Sequence, residues 1–136
     1  MITLDIEPVS KGRPRTRFVN GQAITYTPTK TRIAQDTIKL LLVEYKSQCE
    51  YSRDTPLKLT ATFYRTKSKW LKGKQKKEKL PVRKPDLDNF DKLLLDSING
   101  LLVEDDAQIT HIDAKKRYSS NGHGYIELEL SEDKDK

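Results

Sequence analysis

Lys84-Pro85-Asp86-Leu87-Asp88-Asn89-Phe90-Asp91-Lys92, running on to Val103-Glu104-Asp105-Asp106-Ala107-Gln108, is an acidic island in a basic chain. From Asp86 to Asp113 there are eight acidic residues against one Lys/Arg, Lys92, whereas Arg65 to Lys84 carry ten Lys/Arg and one Glu. Within the island Phe90, Leu93, Leu94, Ile98 and Leu101 recur at helical spacing. That pattern predicts a helix after Pro85, with Asp88 as its cap and Asn99-Gly100 as its stop. A buried helix flanked by strand-like runs on both sides decides the fold class.

Upstream of the island, Leu57, Leu59, Ala61 and Phe63 alternate with Lys58, Thr60, Thr62 and Tyr64, the cleanest strand pattern in the chain. Downstream, Ile109 to Tyr118 has strand character interrupted by His111 and Asp113, and Ile126, Leu128 and Leu130 alternate with Glu127 and Glu129. At the amino end Ile2, Leu4 and Ile6 alternate with polar residues until Pro8. Asn20-Gly21 between apolar residues predicts a hairpin over Phe18 to Ile24. Thr27-Pro28 reads as a helix start, and Ala34, Ile38, Leu41, Leu42, Tyr45 and Cys49 form one apolar stripe, which predicts a helix from about Pro28 to Cys49. The order is strand, hairpin, helix, strand, long loop, helix, strand, strand. It predicts an α/β (α+β) fold, a small mixed sheet covered by two helices, in one domain over residues 1–130 with a frayed charged tail at 131–136.

Composition narrows the function classes. The 136 residues suit one domain, and the formal charge is +6. A hydrophobic content of only 35 % with 34 % charged residues implies a thin core, or a core shared with a second copy. Cys49 is alone, which excludes a disulfide framework and a cysteine zinc cluster. His111 and His123 are too few and too separated for a histidine-built metal site. No apolar run is long enough to span a bilayer and no signal peptide is evident, so the expectation is a cytoplasmic protein without a membrane partner.

The basic segments point to a polyanion. Lys11, Arg13, Arg15 and Arg17 surround Gly12 and Pro14, so they read as a loop or arm whose guanidiniums fit phosphate oxygens. Lys67, Lys69, Lys72, Lys74 and Lys76 follow no period and read as a second loop, with Lys84 closing it. A solvated charge run is the plain alternative for both. Trp70, inside the second run, either stacks on an unpaired base or packs on the core, and the sequence does not choose.

The island points to a cation. Asp86 and Asp88 lie two apart in an extended segment, so they project to one side. Two carboxylates about 4 Å apart repel by roughly 4 kcal/mol at an effective dielectric near 20. Such a pair is protonated once, exposed to water, or bound to a cation. An all-oxygen donor set selects Mg²⁺, with Mn²⁺ as substitute, and no small-molecule cofactor is implied. Lys92 lies one turn beyond Asp88 on the same face, and Asp96 one turn further. Glu104-Asp105-Asp106 offers further carboxylates at the edge of buried structure. The plain alternatives are that Asp88 is only a helix cap, Asp91 only a first-turn acid, and Asp105-Asp106 a surface turn. A calcium loop does not fit, because Phe90 stands where an oxygen ligand belongs and Asp91 where a glycine is needed.

At these residues the chain resembles the RusA family of Holliday-junction resolvases, common in prophages. The pattern is a base (Lys84), Asp86-Leu87-Asp88-Asn89, Lys92, Asp96, and then Asp105-Asp106-Ala107-Gln108, while Pro8 to Arg15 resembles the amino-terminal segment of phage-type members. The similarity runs from about Ile2 to Leu130. It implies that Asp86, Asp88 and Asp106 are catalytic metal-binding carboxylates, that Lys92 is an active-site lysine, and that Asn89, Asp96, Asp105 and Gln108 support them. It also implies a Mg²⁺-dependent homodimer in bacterial or phage-infected host cytoplasm that resolves branched DNA by paired nicks, in recombination and repair. The long run from Lys67 to Lys79 departs from the best-known members. Two other readings stay open: a non-enzymatic junction-binding protein, and a less selective nuclease acting on flaps or forks.

Overall fold

The computed structural model describes residues 1–9, 15–26, 29–67, 79–82 and 86–134, Arg15 by its main chain only. The chain folds as β1 (Ile2–Leu4), β2 (Arg15–Val19), β3 (Gln22–Tyr26), α1 (Thr29–Leu42), β4 (Leu57–Arg65), α2 (Leu87–Ile98), β5 (Ile109–Tyr118) and β6 (Tyr125–Glu132). Four strands form a mixed sheet in the order β1-β6-β4-β5. β4 pairs parallel to β5 and antiparallel to β6, and β6 pairs antiparallel to β1. The β4–α2–β5 segment is therefore a strand–helix–strand crossover, which puts the start of α2 at the end where β4 and β5 finish.

Alternation in β4 explains the core. Leu57, Leu59, Ala61 and Phe63 point to one face and are buried under the two helices. From α1 come Ala34, Ile38 and Leu42, and from α2 Phe90, Leu93, Leu94 and Ile98. Phe63 and Phe90 stack with ring centroids 5.3 Å apart, fixing the first turn of α2 on the end of β4. The opposite sheet face carries the polar alternates and a Tyr64–Tyr125 stack at 4.3 Å.

Several boundaries differ from the sequence reading. α1 ends at Leu42, and a tighter 3₁₀ segment, Val43–Gln48, follows it while keeping Tyr45 and Cys49 against the core. The cap of α2 is Asp86 and not Asp88: Asp86 has an extended main chain, and its carbonyl accepts from Asn89 N–H at 3.1 Å. β5 is continuous through His111 and Asp113, because as an edge strand it turns polar side chains to solvent without breaking its ladder with β4. β6 runs through Ser131 and Glu132, and Asp133 is tied to Pro56 O and Thr110 Oγ1, so the tail is ordered further than its composition suggests.

The hairpin is as expected at its turn, where Asn20 and Gly21 both have positive φ, but its strands are longer. β2 begins at Arg15, so Arg15 and Arg17 belong to a strand and not to a loop. Its described side chains, Phe18, Val19, Ile24 and Tyr26 among them, are exposed. The expected helix start at Thr27-Pro28 lies outside the described residues. Among the described residues no helix is long and apolar enough to cross a membrane.

Candidate active site at the first turn of α2

Asp86 holds the N-cap position of α2, yet its carboxylate makes no capping hydrogen bond. An N-cap aspartate ordinarily accepts from the second or third helical N–H, worth about 1 kcal/mol. Here that bond is not made. Asp88 follows in the first turn, exposed, with Lys92 Nζ 3.6 Å from its Oδ2. Both side chains are more than half exposed, so the pair contributes little stability and leaves both groups accessible.

Asp91 lies on the inner side of the same turn. Its Oδ1 is buried with no hydrogen-bond partner, and burial, reinforced by the neighbouring Asp88 charge, pushes its carboxyl up to about 6.

Two bases complete the surroundings, and neither was among the expected site residues. Arg65 ends β4 with its guanidinium 6.0 Å from the centre of the Phe90 ring. Lys116 on β5 is the register partner of Phe63, and so it points to the helix-covered face. Burial holds its ammonium below the usual lysine range, the Arg65 charge adds to this, and Asp86 works against it. The signal for Lys116 was in the sequence: a base in phase with Ile112 and Ala114, on the apolar side of a strand.

The second half of the acidic island lies elsewhere. Asp106 opens a 3₁₀ turn, Asp106–Gln108, capped by Asp105. The Asp105 carboxylate accepts from Ala107 N–H at 3.0 Å, a bond that holds its pKa below the usual range. Gln108 is buried; its Oε1 accepts from the N–H groups of Glu104 and Asp105, and its Nε2 donates to the carbonyls of Ser52 and Thr55. Asp106 N–H donates to Asn99 Oδ1, beyond the last turn of α2. Asp86 and Asp106 therefore sit at opposite ends of a 12-residue helix, about 18 Å along its axis. No group of three His, Cys, Asp or Glu able to hold an ion forms among the described residues.

The remaining expected residues divide in the same way. Asn89 closes the first turn of α2 through its main chain. Asp96 faces α1, accepting from Gln35 Nε2 at 3.4 Å, and so ties the two helices together. Lys67 lies 5.3 Å over the Tyr118 ring and Arg17 5.6 Å over Tyr26. Lys11, Arg13, Lys69, Trp70, Lys72, Lys74, Lys76 and Lys84 lie outside the described residues, as does the side chain of Arg15. A cleft of about 740 Å³ lined by Cys49, Tyr51, Leu101, Val103 and Glu104 belongs to the Asp106 end and not to the Asp86 end.

Asp86 and Asp88 offer hard oxygen donors beside an orphaned carboxylate oxygen, which suits a divalent cation. Asp106 does not reach that position within one chain. The first half of the expected donor set fits a metal, and the third ligand does not.

Comparison with known proteins places these residues in a family. The family model "Endodeoxyribonuclease RusA" matches residues 5–129. YqaN of Bacillus subtilis (strain 168) is 31% identical over 120 residues, covering 83% of each chain. A protein of Lactococcus phage r1t described as "Crossover junction endodeoxyribonuclease rusA" is 29% identical over 133 residues, covering 95% of this chain and 93% of that one.

Proposed function

The chain belongs to the RusA endodeoxyribonuclease family, and on that footing we propose that it resolves four-way DNA junctions by paired, metal-dependent nicks. One observation carries the placement of the chemistry: Asp86, two residues before Asp88, holds the N-cap position of α2 without a capping hydrogen bond from its side chain. In this reading Asp86 and Asp88 hold the cation, Mg²⁺ by donor chemistry with Mn²⁺ as substitute. When bound, that ion supplies positive charge to the scissile phosphate and lowers the pKa of a coordinated water.

The chain's own side chains do the rest. Lys92, one turn from the carboxylates and exposed, meets a non-bridging phosphate oxygen or the charge that develops on it. Arg65 and Lys116 flank the phosphate from the sheet side and offset the carboxylates, which would otherwise repel a polyanion. The β2–β3 hairpin with Arg17, and the basic run beginning at Lys67, grip duplex arms through phosphates, which makes affinity fall steeply with salt. A homodimer suits a substrate with two equivalent strands to cut. Its setting is DNA recombination and repair in bacterial or phage-infected host cytoplasm.

The test is a labelled four-way junction beside a fork and a linear duplex, with Mg²⁺ and with chelator, scored by gel shift and by cutting. The expected result is paired cuts in the junction alone, only with metal, and none with Asp88→Asn, which still binds. Cutting by Asp88→Asn at the wild-type level overturns the mechanism. Equal cutting of forks overturns the junction selectivity, and binding without nicks at any Mg²⁺ or Mn²⁺ level overturns the enzymatic reading.

A further inference from the structure

We propose that the β2–β3 hairpin is a wedge for the centre of a four-way junction, with the Phe18 ring stacking on a base at the branch point. The inference rests on the function proposed above and names the part of the DNA that this segment takes.

Strand pairing divides the hairpin side chains between two faces. Opposed residues of an antiparallel pair share a face, and successive residues alternate. The register Arg17↔Ile24 and Val19↔Gln22 puts Arg17, Val19, Ile24 and Tyr26 on one side, where the Arg17 guanidinium lies 5.6 Å from the centre of the Tyr26 ring. The register Phe18↔Ala23 puts Phe18 on the other side, opposite a methyl group. The ribbon itself therefore gives the ring little cover, and Phe18 is 77% exposed. Asn20 and Gly21, both at positive φ, turn the chain two residues later, so the ring stands close to the tip.

The two strands form a sheet of their own, and Ile24 and Tyr26 on the opposite face are 41% and 40% exposed. A lone two-stranded sheet is marginal in water. One that shows apolar side chains on both faces is built to be covered on both.

Charge and shape choose what covers it. From Pro8 to Gln35 the chain has six Lys/Arg and no Asp or Glu. Laid on its own two-fold mate, this segment would set like charges together, whereas DNA complements them. A strand resting on a phosphate backbone needs only cationic and polar groups, and a ribbon docked on one surface needs only one apolar face. Apolar groups on both faces, beside a tight turn, suit insertion between two surfaces.

The apolar surfaces of DNA are the base faces. In an unbroken duplex these are stacked on one another. At the opened centre of a four-way junction the last pair of each arm lacks a stacking neighbour, and an inserted ring takes its place. Apolar wedges enter base steps in this way, and an aromatic ring stacks on any base. Phosphate contacts made by Arg17 and the neighbouring bases position the protein on any DNA, while the Phe18 contact needs a branch.

The test compares a four-way junction with a linear duplex of the same arm sequence, in chelator so that neither is cut. Phe18→Ala should keep the wild-type Tm, because the ring is outside the buried core. Its junction affinity should fall about tenfold and its duplex affinity should not change. Phe18→Trp should restore junction binding. The dependence of Kd on salt should be the same for all three proteins, since the ring neutralises no phosphate. In Phe18→Trp combined with Trp70→Phe, the junction should quench the tryptophan emission and the linear duplex should not.

Equal loss of affinity for both DNAs overturns the proposal and lays the ribbon along a duplex groove. Equal quenching by both DNAs does the same. A Phe18→Ala chain that sediments at lower mass than wild type overturns it in favour of a second copy as the occupant. If the wild type binds and cuts junctions and Phe18→Ala matches it, the wedge alone fails; if the wild type binds no junction, the proposed function fails with it.

Discussion

The main-chain N–H of Asp106 donates to the side-chain Oδ1 of Asn99 at 3.2 Å. That bond joins the turn bearing one expected catalytic carboxylate to the end of α2 opposite the other two. The acidic island is thereby divided into two structurally separate halves, each with its own scaffold.

Asn99→Ala removes the acceptor from a partly solvent-exposed bond. The expected loss is about 1 kcal/mol in urea unfolding. Junction cutting is expected to fall several-fold with gel-shift affinity unchanged, because Asp106 loses its anchor while the basic surface does not. Unchanged cutting would show that Asp106 needs no fixed position.

Gln108→Leu keeps the size of a buried side chain and strips its hydrogen bonds. Two N–H groups and two carbonyls are then left without their partner. The expected destabilisation is about 2–4 kcal/mol, larger than for Asn99→Ala, since the groups are part-buried. Urea midpoints of the two variants side by side check the ranking.

Lys92→Met separates chemistry from stability. The Asp88–Lys92 pair is exposed at both ends, so unfolding free energy should change by less than about 0.5 kcal/mol. Single-turnover cutting should fall at least about tenfold if the lysine meets transition-state charge. A rate equal to wild type would remove Lys92 from the chemistry.

Asp91 predicts a pH signature. Its carboxyl is pushed up to about 6, against about 3.9 in an unfolded chain, so the native state binds the proton more tightly. The charge on Asp91 therefore costs stability above about pH 6, and the cost fades as pH falls toward 4. In chelator, Asp91→Asn should raise Tm at pH 8 and lose that advantage by about pH 4. An offset constant across the range would mean that the orphaned oxygen, and not its charge, sets the effect.

Lys116→Met and Lys116→Arg distinguish a phosphate contact from a packing role. Met fills the half-buried position beside Phe63 without a charge to desolvate, so Tm should hold or rise. Cutting should fall with Met and largely return with Arg. Equal activity of both variants and wild type would make Lys116 structural.

Much of this protein is legible residue by residue. The period-2 run in β4, the helical spacing of Phe90 to Ile98, and the Asn20-Gly21 and Asn99-Gly100 turns state local conformation directly, because each depends on neighbours within a few positions. The nearness of Asp86 and Asp88 was legible for the same reason, although the extended segment expected to hold both gives way at Leu87 to α2, which contains Asp88. The family pattern then gave the chemistry that spacing alone left open.

What sequence distance could not convey is which ends of the elements meet. Asp106 is close to Asp88 in the pattern, but the chain between them is a helix, which carries the polypeptide about 18 Å away. Lys116 is twenty-eight residues from Asp88, yet the parallel pairing of β5 on β4 returns it to the Phe63 end of β4, within electrostatic reach of Asp86. The sequence determined the elements, the charge of the acidic island and the nearness of Asp86 to Asp88, since those follow from local propensity and residue chemistry. The tertiary structure decided that Arg65 and Lys116 lie at the end of the sheet where α2 starts and that Asp106 lies at the far end of α2, because a strand–helix–strand crossover gathers strand ends at the start of the helix and holds the helix end apart.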